Sequence, residues 1–191
     1  MYWKNYSKFI QSDYMERSYW HSSKAVYDYK GYRIIFDHYT FHSSVGIQSF
    51  ESTVTRVYCQ FESSKPMYLK ICKATFLNRV LNIFNTSQFR IVDTRFNRMY
   101  QVFLNRGVSP AALNRSTTNK IMDLNVVELI IDNNDGIWGT ALGKNIYELA
   151  TYIDKDDLEF SVLNDIKALF EEIIDSLAIN NQIKPVVEQQ P

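Results

Sequence analysis

The feature that most constrains this chain lies near its C-terminus. Val162, Leu163, Ile166, Leu169, Phe170, Ile173, Ile174 and Leu177 recur at helical spacing as one continuous apolar stripe, which predicts a long helix opened at Asp156 or Asp157. Acidic residues there suit the positive end of the helix dipole. A stripe this wide has to be buried against a broad apolar surface, so the helix is expected to lie across a sheet. The residues before it must supply that sheet.

They contain strand-like segments in sufficient number. Residues 25–29 and 32–41 are aromatic and β-branched and flank Lys30-Gly31, a hairpin signal. Residues 52–61 alternate Thr, Val and Tyr, and Ser63-Ser64-Lys65-Pro66 turns the chain into a strand at 67–72. Strands are expected again at 89–93 and 99–104. Residues 126–131 and 137–142 flank Asp132-Asn133-Asn134-Asp135-Gly136, which reads as a hairpin tip. Helical spacing predicts three earlier helices. The first covers residues 5–20, with Phe9, Ile10, Tyr14 and Met15 on one face. The second starts at Thr75 and carries Leu77, Val80, Leu81 and Phe84. The third runs from Ser109-Pro110, an N-cap followed by proline in the first helical position, to near Leu124. The expected class is α+β: a mainly antiparallel sheet, three or four helices packed mostly on one face, and a long C-terminal helix. At 191 residues, 46% of them apolar, the chain is long enough for one domain with a sizeable core. That domain is placed at residues 1–180, with a disordered tail at 181–191.

The formal net charge of zero hides an asymmetry. Up to Arg106 there are 15 Lys and Arg against 7 Asp and Glu; from residue 107 onward there are 6 against 14. The same cut places 23 of the 28 aromatic residues in the basic part. Neither part has a run of like charges, so the asymmetry reads first as two faces of one domain that attract each other.

Several chemistries have no motif here. No apolar run approaches the ~20 residues of a membrane-spanning helix, and the N-terminus shows no secretory signal, so a cytoplasmic location is expected. Cys59 and Cys72 read as buried thiols in a reducing compartment rather than a disulfide. His38 and His42 stand four apart in a strand-like segment, roughly 13 Å along it, too far to share a metal without a bend. Aligning Gly136 with the glycine of a helix–loop–helix calcium loop puts Ile131 and Leu142 where carboxylates are needed. Asp154, Asp156, Asp157 and Glu159 are explained by a helix start. The six glycines form no phosphate-binding loop, and no serine nucleophile motif is present. No catalytic residue, metal or cofactor is therefore expected.

Residues 91–102, Ile91-Val92-Asp93-Thr94-Arg95-Phe96-Asn97-Arg98-Met99-Tyr100-Gln101-Val102, resemble the FDxxFxV centre of a family of uncharacterised bacterial domains of unknown function. Ala111-Ala112, Met122, Leu124 and the hairpin through Gly136 resemble the short helix and strand pair that come after that centre in the family. The likeness spans roughly residues 75–178. Val92 stands where the pattern has Phe, and Tyr100-Gln101-Val102 shifts the F-x-V spacing. The resemblance implies a soluble α+β module and supplies no catalytic residues. Transmembrane helices often precede the domain in that family; none is visible here. Read physically, Asp93, Arg95 and Arg98 form an ion-pairing and turn-forming group between two strands.

These readings favour a non-enzymatic protein-interaction or scaffold module, including self-association, with an aromatic-rich surface as the contact. Its candidate residues are Trp3, Tyr6, Tyr19, Trp20, Arg33, Tyr39, Asp93, Arg95 and Arg98. The alternative is nucleic-acid binding through a basic aromatic sheet face carrying Arg33, Arg56, Lys70, Lys73 and Arg79 among tyrosines; it requires a contiguous positive face. An enzyme would take precedence if His38 or His42 lined a pocket beside Asp37 or Asp93.

Overall fold

The computed structural model describes residues 2–18, 22–45, 48–74, 89–105, 107–136, 139–153 and 158–186; for 41–45 and 48–52 it describes the backbone. Helix α1 (Tyr2–Phe9) leads into strands β1 (Asp13–Met15), β2 (Lys24–Tyr29), β3 (Tyr32–Val45), β4 (Gln48–Glu62) and β5 (Leu69–Lys73). Helix α2 (Thr94–Met99) and strand β6 (Tyr100–Leu104) come next. A 3-10 turn (Pro110–Leu113) then precedes α3 (Arg115–Asp123), β7 (Glu128–Asp132), β8 (Ile146–Ile153), α4 (Phe160–Ile179) and β9 (Lys184–Pro185). The strands form one sheet in the order β1-β2-β3-β4-β8-β7-β5-β6, with β9 beside β4. Every pairing between these strands is antiparallel. The fold is α+β, as expected.

Alternation within the strands separates the sheet into two faces. Phe36 of β3 stands opposite Val57 of β4, which stands opposite Thr151 of β8 and, through it, Leu129 of β7 and Ile71 of β5. This row and its neighbours are buried against the helices in one continuous core. Helix α4 puts Leu163, Ile166, Leu169, Phe170, Ile173, Ile174 and Leu177 into it, each fully buried. Burial of such side chains stabilises by roughly 1.5–3 kcal/mol apiece. Val162, the first residue of the expected stripe, is half-buried. At the end nearer β2, Lys167 Nζ lies 4.4 Å from the Tyr27 ring centre, and the Tyr29 hydroxyl donates to Asp175 at 2.9 Å.

The β2–β3 turn arises directly from its sequence. Lys30 and Gly31 both have positive φ, 55° and 85°, as a two-residue hairpin loop requires, and Asp28 Oδ1 accepts from the Gly31 N–H at 3.2 Å.

Several expectations are corrected. The first helix stops at Phe9, where Gln11 at φ 52° breaks the spiral. Tyr14 and Met15, placed on that helix by their spacing, belong to β1, with Tyr14 opposite Ala25. Residues 89–93 make only a single bridge, Phe89 to Val102; Asp93 instead caps α2 by accepting from the N–H groups of Arg95 and Phe96. The partner of β7 is β8, in the register Glu128–Tyr152, rather than 137–142; of that stretch, Thr140, Ala141 and Leu142 meet the tip itself, with a single bridge between Asn134 and Ala141. The final helix begins at Phe160, and Glu159 makes no capping hydrogen bond. Lastly, the tail does not begin at 181: Ile183 is buried and Lys184–Pro185 pairs with Phe61 and Glu62 of β4. The helix expected from Thr75 lies outside the described residues.

Candidate functional site

Among the described residues, every helix packs into the core on one side of the sheet. The other side carries a smaller apolar cluster, Val54, Tyr58, Ala150 and Tyr152, edged by Ile35, Tyr39 and Ile130. A charge pair sits within it. Arg56 of β4 and Asp37 of β3 are direct cross-strand partners. Nε and Nη2 of Arg56 donate to Oδ1 and Oδ2 of Asp37 at 3.0 and 2.7 Å, a bidentate fork. Both residues are buried. The guanidinium lies between two rings, with Cζ 4.1 Å from the centre of Tyr58 and 4.8 Å from that of Tyr39. Burial by itself would lower the Arg56 pKa; the hydrogen bonds and charge of Asp37 more than offset it, and the net shift is upward.

The 132–136 tip folds onto this face. Asp135 Oδ1 accepts from Arg56 Nη1 at 3.4 Å, and Glu148 Oε1 accepts from the Gly136 N–H at 3.1 Å. Gly136 has φ 73°, and a Cβ there would meet the Tyr152 hydroxyl at 3.2 Å. Glu148, opposite Gln60, also accepts from Gln60 Nε2 at 3.1 Å. Burial raises its carboxyl to about 7, against the opposing effect of the Gln60 hydrogen bond and Arg56. Asp132 and Asn133 serve the loop itself: Asp132 accepts from the Asn133 N–H and from Asn134 Nδ2, and Asn133 Nδ2 donates to the Ile146 carbonyl. No group of three or more His, Cys, Asp or Glu with the geometry of a metal site occurs among the described residues.

Beside the pair opens a cleft of about 800 Å3, with Arg17, Ser22, Ser23 and Lys24 on one wall and Tyr39, Thr40, Arg56, Asp135 and Thr140 on the other. Asp37 and His38 both border it, the condition set for an enzyme. They are adjacent in β3, however, and their side chains leave opposite faces. The His38 ring lies 4.9 Å from Trp3 and 5.8 Å from Tyr2 on the helix side, while the Asp37 carboxylate is held by Arg56. Asp37 and His38 therefore form no imidazole–carboxylate dyad with each other. His42's side chain lies outside the described residues. A smaller cleft, about 210 Å3, lies across the tip between Lys70, Glu128, Asp132 and Glu148.

The structure disperses the residues nominated from sequence. Trp3 and Tyr6 are corrected: both are fully buried, against His38 and Phe36, because α1 turns its aromatic face to the core. Tyr39 lies at the cleft, and Arg33 is exposed on the same strand. Asp93, Arg95 and Arg98 are at the β6 end on α2; Asp93 acts as a cap, and no ion pair joins the three. Tyr19 and Trp20 lie outside the described residues. Arg56 and Tyr58, read from sequence only as members of a basic aromatic region, are central, and Glu148 was not singled out. The signal for Arg56 was a cation between Thr55 and Val57 in a β-branched strand, a position that demands a partner once the strand is central.

The fold and site together define an α+β protein with one helix-covered sheet face and one polar, aromatic face. No family model and no curated protein matches the chain. Among solved structures, the crystal structure of the mycobacterial trehalose monomycolate transport factor A, TtfA, has a similar fold, with a TM-score of 0.52 over 98% of this chain and 97% of that one, at 8% identity. At that identity the likeness is one of fold. No helix among the described residues is long and apolar enough to cross a membrane.

Proposed function

We propose that this chain is a non-enzymatic protein-interaction module that binds through the cleft and the aromatic, charged face of its sheet. The observation that carries this reading is the commitment of the site's charges. The Asp37 carboxylate is fully engaged by Arg56, Arg56 is further held by Asp135 and two rings, and Glu148 is held by Gln60 and Gly136. Groups tied to one another in this way fix a shape and leave no base facing a nucleophile. Aromatic rings and an arginine in a rigid setting are the residue types that dominate protein interfaces. The nucleic-acid reading is weaker, because Asp37, Glu128, Asp132, Asp135 and Glu148 interrupt the positive residues of the same face. The buried free thiols Cys59 and Cys72 accord with a cytoplasmic setting.

A photo-reactive side chain at Thr40, on the lip of the cleft, tests the proposal against one at Asn119, exposed on α3. In extract of the source cells, Thr40 is expected to give a discrete protein adduct, absent from Asn119 and lost when Arg17 and Lys24 are both changed to Glu. Nuclease-sensitive adducts, or no difference between the positions, would overturn it.

A further inference from the structure

The loop that leads into α2 is tied down at three points and presents an apolar side chain to water. At its start, Phe89 bridges to Val102 of β6 and donates its N–H to the Val102 carbonyl at 2.8 Å. In its middle, Asn97 of α2 grips the main chain of Ile91 with both ends of its amide, accepting from the N–H at 3.2 Å and donating to the carbonyl. At its end, Asp93 caps α2. Between the last two ties stands Val92, which is 100% exposed. A single apolar side chain in water needs no explanation by itself. One carried on a loop held this firmly, among the charges described next, has a fixed presentation that the core does not use.

Those charges are of one sign. Residues 89–99 hold three arginines and one acid. Arg90, Arg95 and Arg98 are all exposed, and none makes an ion pair among the described residues. Arg95 and Arg98 are three apart on α2 and so share one side of it, while Phe96 is buried and stacked on Tyr100 at 4.9 Å. The one acid, Asp93, accepts from the N–H groups of Arg95 and Phe96 and is committed to the cap. α2 runs directly into β6, at the opposite end of the sheet from β1, β2 and β3, where the cleft opens.

We propose that loop 90–93 and α2 form a contact for an anionic lipid surface, with Val92 entering the headgroup boundary and Arg90, Arg95 and Arg98 on the lipid phosphates. Val92 is fully exposed, so it stands out from the protein rather than lining a groove. A folded partner would need a matching pocket, whereas a bilayer yields to it. An apolar tip with guanidinium groups beside it combines the two attractions that hold a protein at such a surface, buried apolar area and charge. Three cations and one valine make a weak, reversible contact. It goes beyond the interaction-module reading and leaves the cleft free, because the two lie at opposite ends of the sheet.

The test floats the whole chain with vesicles of phosphatidylcholine alone, or of equal parts phosphatidylcholine and phosphatidylglycerol. Binding is expected to the anionic vesicles only, and to be lost at about 1 M salt, where charges act over only about 3 Å. An environment-sensitive dye on Val92→Cys is expected to shift to the blue with those vesicles, and the same dye on Asn119→Cys is not; Cys59 and Cys72 are buried away from the label. Arg95→Glu/Arg98→Glu is expected to weaken binding at least about tenfold, while Arg95→Lys/Arg98→Lys, which keeps the charge, stays within about twofold. Val92→Ser weakens binding and Val92→Leu tightens it. All of these positions are exposed, and unchanged urea denaturation verifies that each variant is folded. The proposal is overturned by no flotation with anionic vesicles at low salt, by equal flotation with neutral ones, or by a dye at position 92 that stays in water while the protein floats. Tighter binding to polyuridylate than to the vesicles, lost in Arg95→Glu/Arg98→Glu, assigns the patch to nucleic acid and also overturns it.

Discussion

The two faces of the sheet solve opposite problems with the same strands. On the helix-covered face, Phe36, Val57, Leu149, Leu129 and Ile71 share one buried apolar core with the stripe of α4, and their worth scales with area and close packing. On the other face, among the described residues, four buried residues form a small apolar cluster edged by Ile35, Tyr39 and Ile130, and it adjoins a buried guanidinium with its carboxylate. The first face is tolerant of chemistry and sensitive to volume. The second is sensitive to charge, because a buried ion is acceptable only while its partner is present. The difference teaches where function is to be sought: a cluster built around an ion pair gains little stability from it, but it fixes the positions of Tyr39, Tyr58 and Asp135 at the cleft.

The largest expected effect breaks the pair. Asp37→Ala leaves Arg56 buried without its carboxylate and is expected to lose about 3–5 kcal/mol in urea denaturation. The double change Asp37→Leu/Arg56→Met removes both charges with little loss of volume and is expected to return to the parent's stability or exceed it, while abolishing the Thr40 adduct. If the double variant remains as unstable as the single one, the ion pair is structural in the same sense as the core, and the contrast between the faces collapses.

The next effect concerns pH. Glu148 is raised by burial from its ordinary value to about 7 in the folded chain, so the unfolded chain releases this proton first. Between about pH 4.5 and 7 the folded state holds more protons, and stability falls as pH rises. The stability associated with the neutral carboxyl is complete below the unfolded value and is lost by the time pH passes 7, a change on the order of 3 kcal/mol. Glu148→Gln is expected to flatten this part of the profile and to be the more stable protein at pH 8. Denaturation at pH 5 and 8 checks it; parallel profiles for parent and variant would mean that Glu148 is ionised in the folded chain throughout.

How much of this was legible in the sequence differs between the faces. The covered face was readable because its determinant is periodic: the α4 stripe, the Lys30-Gly31 turn and the alternation of 52–61 all produced the expected elements. Errors arose where a local pattern had two physical meanings. Tyr14 and Met15 fit helical spacing but lie beyond the Gln11 break, and Asp93 reads as strand or as cap depending on whether Arg95 and Phe96 offer their N–H groups. The open face was poorly legible, since it is assembled by register. Asp37 and Arg56 are separated along the chain by a long hairpin, and Glu148 arrives from a strand that sequence reading left unassigned. No spacing rule connects three residues whose proximity depends on which strands become neighbours.

The smallest expected effect sharpens the comparison by separating ring from area. Tyr39 is half-exposed at the cleft while Tyr58 is buried, yet both rings face the same guanidinium. Tyr39→Leu keeps much of the apolar contact and removes the ring's attraction for the cation, so the loss is expected to be about 0.5–1 kcal/mol; at Tyr58, where water is excluded, the same change should lose about 2 kcal/mol. A double-mutant cycle isolates the term: combining each tyrosine change with Asp37→Leu/Arg56→Met removes the cation, and the ring's contribution should then vanish at both positions. Were the losses to persist unchanged without the cation, the tyrosines would be acting as apolar cover. The open face would then obey the same volume rule as the core, and its aromatic residues would carry no special relation to Arg56.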